Sequence, residues 1–150
     1  MRTIDRRKAM VLGAGALAGA AGALPAWAAP EGEVAAETKK FTGGKEPTKG
    51  KITIDLPEIA ENGNTVPMTV SVESPMTAES YVQEVLILAE ANPSANTAHI
   101  MFSPMAGKAE VALRIRLAAT QNVIALAKMN DGSVFVEKKV VKVTIGGCGG

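Results

Sequence analysis

This sequence contains very little of the chemistry that most enzyme active sites use. Its 150 residues include one cysteine and one histidine, and 3% of them are aromatic. A zinc site needs several closely spaced Cys, His or carboxylate ligands, which Cys148 and His99 alone cannot supply. The formal net charge of +1 shows no basic excess for binding nucleic acid. We therefore expect no metal, no other cofactor and no nucleic-acid partner.

The first 28 residues have the pattern of an export signal. Arg6-Arg7-Lys8 carry positive charge, residues 11–24 form an uncharged run, and Ala26-Trp27-Ala28 fits a small-x-small cleavage pattern. The run is too short and too rich in glycine for a membrane span, which needs about 20 apolar residues, so we expect no stable membrane insertion. The paired arginines favour the twin-arginine route, with ordinary secretory export as the alternative.

Cleavage before Ala29 would leave a mature chain whose length fits a single domain. The signal carries four basic residues and one acidic residue, so its removal changes the net charge from +1 to −2. Export leads to an oxidising compartment, where small domains commonly use structural disulfides. A single cysteine in that setting indicates either an intermolecular disulfide or a reactive thiol.

Hydrophobic periodicity predicts an all-β domain over residues 51–145. Residues 29–50 are polar and are predicted to be a loosely packed lead-in, in which residues 31–41 could form a short helix. Strands are predicted at 51–56, 65–74, 97–102, 110–117, 122–129, 133–138 and 140–145. Residues 81–90 form a longer apolar run that is predicted as a further strand, with a helix as the alternative. Asn130-Asp131-Gly132 predicts a hairpin turn, since such turns need positive φ. The pattern is typical of an antiparallel immunoglobulin-like β-sandwich.

The scarcity of aromatic residues means that Val, Ile, Leu and Met must fill the core. Met68 and Met101 lie on predicted strands and are interpreted as core fillers, with copper ligands as the alternative. His99 is interpreted as an ordinary strand residue. The alternation predicts three shared strand faces, made of Val66, Met68, Val70 and Val72, of Val111, Leu113, Ile115 and Leu117, and of Val141, Val143 and Ile145.

The last five residues are the strongest candidate for a functional site. They are Gly146, Gly147, Cys148, Gly149 and Gly150. Glycine adopts positive and negative φ about equally well, so we predict a flexible arm that carries its thiol into the cleft of another protein. No cation closer than Lys142 in the sequence is available to activate the thiolate. We therefore expect Cys148 to be a site of substrate attachment and not a catalytic residue.

Two other features could contact a partner. Arg114 and Arg116 share one strand face and could bind an anion or a carboxylate, with a solvated sheet face as the alternative. The apolar segment Leu56-Pro57-Glu58-Ile59-Ala60 precedes a turn at residues 61–64, and together they could form a partner-contact loop.

Several segments together resemble the SoxY family of bacterial sulfur oxidation. They are residues 56–63, Val66-Pro67, Asn92-Pro93, residues 114–118, Asp131-Gly132 and the terminal residues 146–150. The resemblance covers nearly all of residues 51–150.

This resemblance implies a covalent sulfur carrier in the periplasm, with Cys148 as the attachment site. It further implies a heterodimer with SoxZ, an enzyme SoxAX that joins thiosulfate to the thiol, a hydrolase SoxB that releases sulfate and, in some organisms, the dehydrogenase SoxCD. Two alternatives remain from the residues themselves. Cys148 could form a constitutive disulfide between two copies, or the chain could be an exported adhesion or chaperone-like immunoglobulin domain.

Overall fold

The computed structural model describes residues 32–146. The predicted signal at 1–28, and Gly147, Cys148, Gly149 and Gly150, lie outside this range. Within it, the chain forms one α-helix, α1 (Glu33–Thr42), a 3₁₀ turn (Pro104–Ala106) and nine strands. The strands are β1 (Thr48–Lys49), β2 (Ile52–Asp55), β3 (Ile59–Ala60), β4 (Val66–Val72), β5 (Val82–Ala89), β6 (Asn96–Met101), β7 (Ala109–Ile115), β8 (Gln121–Met129) and β9 (Val134–Val143).

The strands form two packed sheets, which confirms the predicted β-sandwich. The larger sheet has the order β1-β9-β8-β5-β6, with β3 also paired to β9, and the smaller has the order β2-β4-β7. The long pairings are antiparallel, whereas the two-residue strands β1 and β3 run parallel to β9. The predicted antiparallel sandwich therefore gains two short parallel pairings, which join residues too far apart in sequence for a local pattern to indicate.

The main core lies between the two sheets. β4 follows the predicted alternation, with Val66, Met68, Val70 and Val72 all buried. β5 and β8 are instead apolar on both faces, because the larger sheet is covered on its second face by α1. This second layer buries Phe41 of the helix against the sheet residues Leu86, Leu88, Ile124, Leu126 and Val134.

The helix is docked more firmly than the predicted loose lead-in. Glu33 accepts hydrogen bonds from the backbone N–H of Ala95 at 3.3 Å and from the Ser94 hydroxyl at 3.4 Å, which ties α1 to the start of β6. The helix ends at Gly43, whose φ of 65° is the left-handed conformation that favours glycine. Among residues 32–146, no helix is long and apolar enough to cross a membrane.

Three predictions about strands and the core were wrong. The segments predicted as separate strands at 133–138 and 140–145 form one strand, β9, because no turn residue interrupts them. Ile145 is 68% exposed, since it lies beyond the end of β9. Met101 is 76% exposed, because it ends the edge strand β6 on the face that carries His99.

Candidate functional site

The structure describes the chain up to Gly146, the residue at which the predicted arm begins. Residues 142–146, here called the root, lead from β9 towards Cys148. Two segments hold the root: residues 58–63, here called the strap, and residues 116–120, here called the supporting loop. The predicted attachment residue Cys148 and the glycines Gly147, Gly149 and Gly150 lie beyond the described range.

The strap pairs with the end of β9 along its backbone. Its strand β3 runs parallel to Lys142 and Val143. The N–H of Lys142 donates to the carbonyl of Glu58 at 2.9 Å, and the N–H of Thr144 donates to the carbonyl of Ala60 at 3.1 Å. Most of the segment predicted to contact a partner, residues 56–64, therefore bonds the root of the same chain; this set of bonds is here called the clasp.

Side-chain hydroxyls reinforce this backbone pairing. Thr144 Oγ1 donates to the carbonyl of Glu61 at 3.0 Å. On the other side of the root, the N–H of Val143 donates to Thr120 Oγ1 of the supporting loop at 2.9 Å. The root is thus bonded both to the strap and to the supporting loop.

Gly63 links the three segments. Its N–H donates to the carbonyl of Ile145 at 2.8 Å, and its own carbonyl accepts from the N–H of Leu117 at 2.8 Å. Gly63 is buried. The turn at residues 61–64 therefore joins the supporting loop to the last residue before Gly146.

Gly146 lies directly against the supporting loop. A Cβ atom added to it would overlap the backbone carbonyl oxygen of Ala118 and would come within 3.2 Å of the carbonyl carbon. Its φ is outside the left-handed region, so close approach, and not an unusual conformation, is what requires glycine here.

A buried polar network holds the supporting loop in place. The Asn92 side chain donates to the carbonyl of Arg116 at 2.8 Å and accepts from the N–H of Ala118 at 3.0 Å. Gln121 donates to Asn92 Oδ1 and to the carbonyl of Ala119, each at 3.0 Å. Asn92 and Gln121 are only 9% and 5% exposed, so the loop is bonded from within the protein.

The segments that carry the family resemblance meet at this site. The strap, Asn92, residues 114–118 and Gly146 all contribute, and Val66-Pro67 pairs in register with Arg114 and Ile115. Asp131-Gly132 belongs instead to the turn before β9, at the end of that strand remote from the root. Sequence reasoning assigned no side-chain role to Asn92 and missed Gln121 and Thr144, since side-chain bonds to distant backbone leave no local pattern.

The other sequence candidates lie apart from the root or contribute through the backbone. Arg114 and Arg116 have exposed side chains, and neither forms an ion pair within residues 32–146. Arg116 contributes only its carbonyl, to the network of Asn92.

His99 is confirmed as a strand residue. It lies in β6, which β8 and β5 separate from β9, roughly 14 Å across the sheet. Its Nε2 is 2.9 Å from a carboxylate oxygen of Glu84, in a cleft of about 240 Å³ that is also lined by Glu37, Lys40 and Phe41 of the helix. Within the described part of the chain, no three Cys, His, Asp or Glu side chains are grouped as metal ligands.

Comparisons with known proteins identify relatives of this chain. The family model described as sulfur oxidation protein SoxY matches residues 38–148. The solved structure of the sulfur carrier protein SoxY from Chlorobium limicola f thiosulfatophilum is 33% identical, with a TM-score of 0.62, and the match covers 77% of this chain and 99% of that chain. No curated protein sequence matches the chain.

Some more distant solved structures share only the fold. A superoxide reductase (neelaredoxin) from Ignicoccus hospitalis is 19% identical with a TM-score of 0.56, covering 63% of this chain and 80% of its own. A putative superoxide reductase from Thermotoga maritima is 18% identical with a TM-score of 0.54, covering 69% and 89%.

Proposed function

The chain belongs to the SoxY family of sulfur oxidation proteins, and we propose that it carries thiosulfate-derived sulfur covalently on the thiol of Cys148. One observation carries this proposal: the family match ends at residue 148, which is the one cysteine of the chain. The arrangement of the root supports it. A substantial network of strap, loop and buried amides holds the segment that leads to this thiol.

The chemistry needs only a thiol on the carrier. Joining thiosulfate to Cys148 converts R–SH and S₂O₃²⁻ into R–S–S–SO₃⁻, and releases one proton and two electrons. The electrons pass to the haem enzyme SoxAX. Hydrolysis by SoxB then adds the oxygen of water to the sulfone sulfur, breaks the bond between the two outer sulfur atoms, and releases sulfate and two protons, leaving R–S–S⁻ on the carrier. The oxidation and the hydrolysis are thus supplied by partners, and the carrier supplies attachment and presentation.

We propose that this carrier works in the periplasm as a heterodimer with SoxZ. The export pattern of residues 1–28 supports the location, by the twin-arginine route. Two observations support a partner. Among residues 32–146, the outer edges of β6 and β7 pair with no strand, and the side chains of Ile59, Met101 and Met105 are exposed. SoxAX and SoxB, and SoxCD where it is present, would dock transiently.

The test is the intact mass of the protein purified, without reductant, from cells growing on thiosulfate. A carrier shows sulfur adducts that map to Cys148 and that reductant removes. A lasting disulfide between two copies would instead support an interaction module that is dimerised through Cys148. A thiol with neither modification would support the adhesion-type alternative.

A further inference from the structure

The segment predicted as a five-residue flexible arm begins at an exposed residue that lies against the packed domain. Gly146 contacts Ala118, and the residue before it is bonded through its carbonyl to Gly63. We propose that Gly146 is a positioning residue: a fixed anchor from which the thiol of Cys148 extends by only two residues. The anchor itself follows from described contacts, whereas its role in sulfur transfer rests on the proposed function.

Hydrogen bonds continue along the root beyond the end of β9. β9 ends at Val143, yet Thr144 bonds to Ala60 and Glu61, and Ile145 bonds to Gly63. If the arm were free from the end of β9, these backbone and hydroxyl groups of Thr144 and Ile145 would bond water instead of the strap. The described chain is therefore held for two residues past its last strand residue.

Position 146 requires glycine because there is no room for a side chain beside it. Its φ lies outside the left-handed region that favours glycine, so the space beside it is the constraint. The atom in that space is a backbone carbonyl oxygen, that of Ala118. No change of rotamer can remove it.

The hydrogen bonds of the supporting loop oppose its movement away from Gly146. The N–H of Ala118 is bonded to Asn92, and the carbonyl of Ala119 is bonded to Gln121. Shifting the loop would leave buried polar groups without partners, which is costly. A side chain at position 146 would therefore displace the root instead.

A fixed anchor limits how far the thiol can reach. At roughly 3.3–3.6 Å per extended residue, Cys148 lies at most about 7 Å from Gly146, whereas an arm that is free from Val143 would reach about 17 Å. A sulfur-transfer site must then come close to the root, because the backbone of Cys148 extends no more than about 7 Å from that of Gly146.

Backbone relaxation of the ¹⁵N-labelled full chain locates the point where the arm becomes free. We expect order parameters near the rigid value of about 0.85 for Thr144, Ile145 and Gly146, falling below about 0.6 from residue 147 or 148 onward. Values below about 0.6 already at Thr144 or Ile145 would overturn the anchor. This measurement needs no substrate, partner or variant.

A pair of variants tests the role of the contact. Gly146→Ala should raise the amide exchange rates of Gly63 and Thr144, whose N–H groups form bonds between the strap and the root, about tenfold or more, while the matched Gly149→Ala should leave both unchanged. Gly146→Ala should also slow loading by the partner enzyme about tenfold or more, with alkylation by a small reagent changed less than about twofold. Unchanged amide exchange in Gly146→Ala would overturn the proposal.

The readouts separate this proposal from the function it rests on. If Cys148 of the unmodified protein is never loaded with sulfur, the proposed function fails, while relaxation and amide exchange still decide whether Gly146 is anchored. If loading occurs and Gly146→Ala loads at the normal rate, the anchor has no positioning role.

Discussion

Asn92 Oδ1 and Gln121 Nε2 lie 3.0 Å apart in the interior, and their hydrogen bond supports the loop that contacts the last described glycine. Within residues 32–146, neither side chain forms a hydrogen bond to the root itself. Each instead bonds backbone groups of the supporting loop. The loop against which Gly146 lies is therefore held by two buried amides, one that precedes the loop in sequence and one that follows it.

Replacing Asn92 should lower the stability of the domain. Asn92→Ala removes the donor to Arg116 and leaves the N–H of Ala118 without its acceptor, so we expect a loss of about 1–3 kcal/mol in the free energy of unfolding. The matched control is Asn96→Ala, because Asn96 is exposed and bonds only Glu37 through its side chain, and we expect a change within about 0.5 kcal/mol. Chemical denaturation measures both. Equal losses would contradict a special role for the network.

Glu90 should make stability depend on pH in the acidic range. Burial raises the pKa of its carboxyl, but hydrogen bonds from Lys138 and Asn122 outweigh that effect and lower the pKa below the ordinary 4.5. A lowered folded pKa stabilises the native state above the unfolded value, and this contribution is lost as pH falls through the folded value. Glu90→Gln should therefore be less stable than the parent at pH 7 and approach it near pH 3.

The control for this pH effect is Glu73→Gln, which alters an exposed carboxyl. The difference in unfolding free energy between parent and variant is measured at each pH. A gap for Glu90→Gln that stays constant from pH 7 to pH 3 would contradict the assignment.

Replacing the thiol should abolish sulfur loading without affecting the fold. Cys148→Ser is expected to show no adduct by intact mass after incubation with thiosulfate and the partner enzymes. Its thermal midpoint should match that of the parent, because residues 147–150 consist of one cysteine among glycines, with no large side chain to pack. A clearly lower midpoint would show that Cys148 is structural.

The isolated mature chain should self-associate, and added SoxZ should convert it to a one-to-one complex. The reason is the exposed apolar surface at the edge of the larger sheet, where Met101 is 76% and Met105 is 96% exposed. Sedimentation velocity across a concentration series distinguishes the species. A monomer whose sedimentation does not change when SoxZ is added would argue against the heterodimer.

Patterns that repeat locally could be predicted from the sequence. The alternation of β4 and the Asn130-Asp131-Gly132 turn depend on neighbouring residues, and both are present as predicted. The helix also forms, as Glu33–Thr42, and Gly43 ends it. Local chemistry thus accounts for the sandwich and for the helix that covers it.

Features that depend on distant residues could not be predicted. β3 pairs with Lys142 and Val143 about 80 positions away, and two residues form no recognisable strand pattern. The exposure of Met101 depends on its place at a sheet edge, which follows from strand order and not from its neighbours. The clasp on the root belongs to this class, since its bonds are mostly between backbone groups of remote segments.

The bonds from the strap to the root also bear on how carriers of this kind can diverge. The groups of Glu58, Ala60, Glu61 and Gly63 that take part are all main-chain amides and carbonyls. Side chains at positions 58 and 61, both exposed, can therefore change in charge or size without loosening the clasp. Related chains can therefore differ in the surface around the root while the path of the root stays the same, with Gly146 as the position least free to vary.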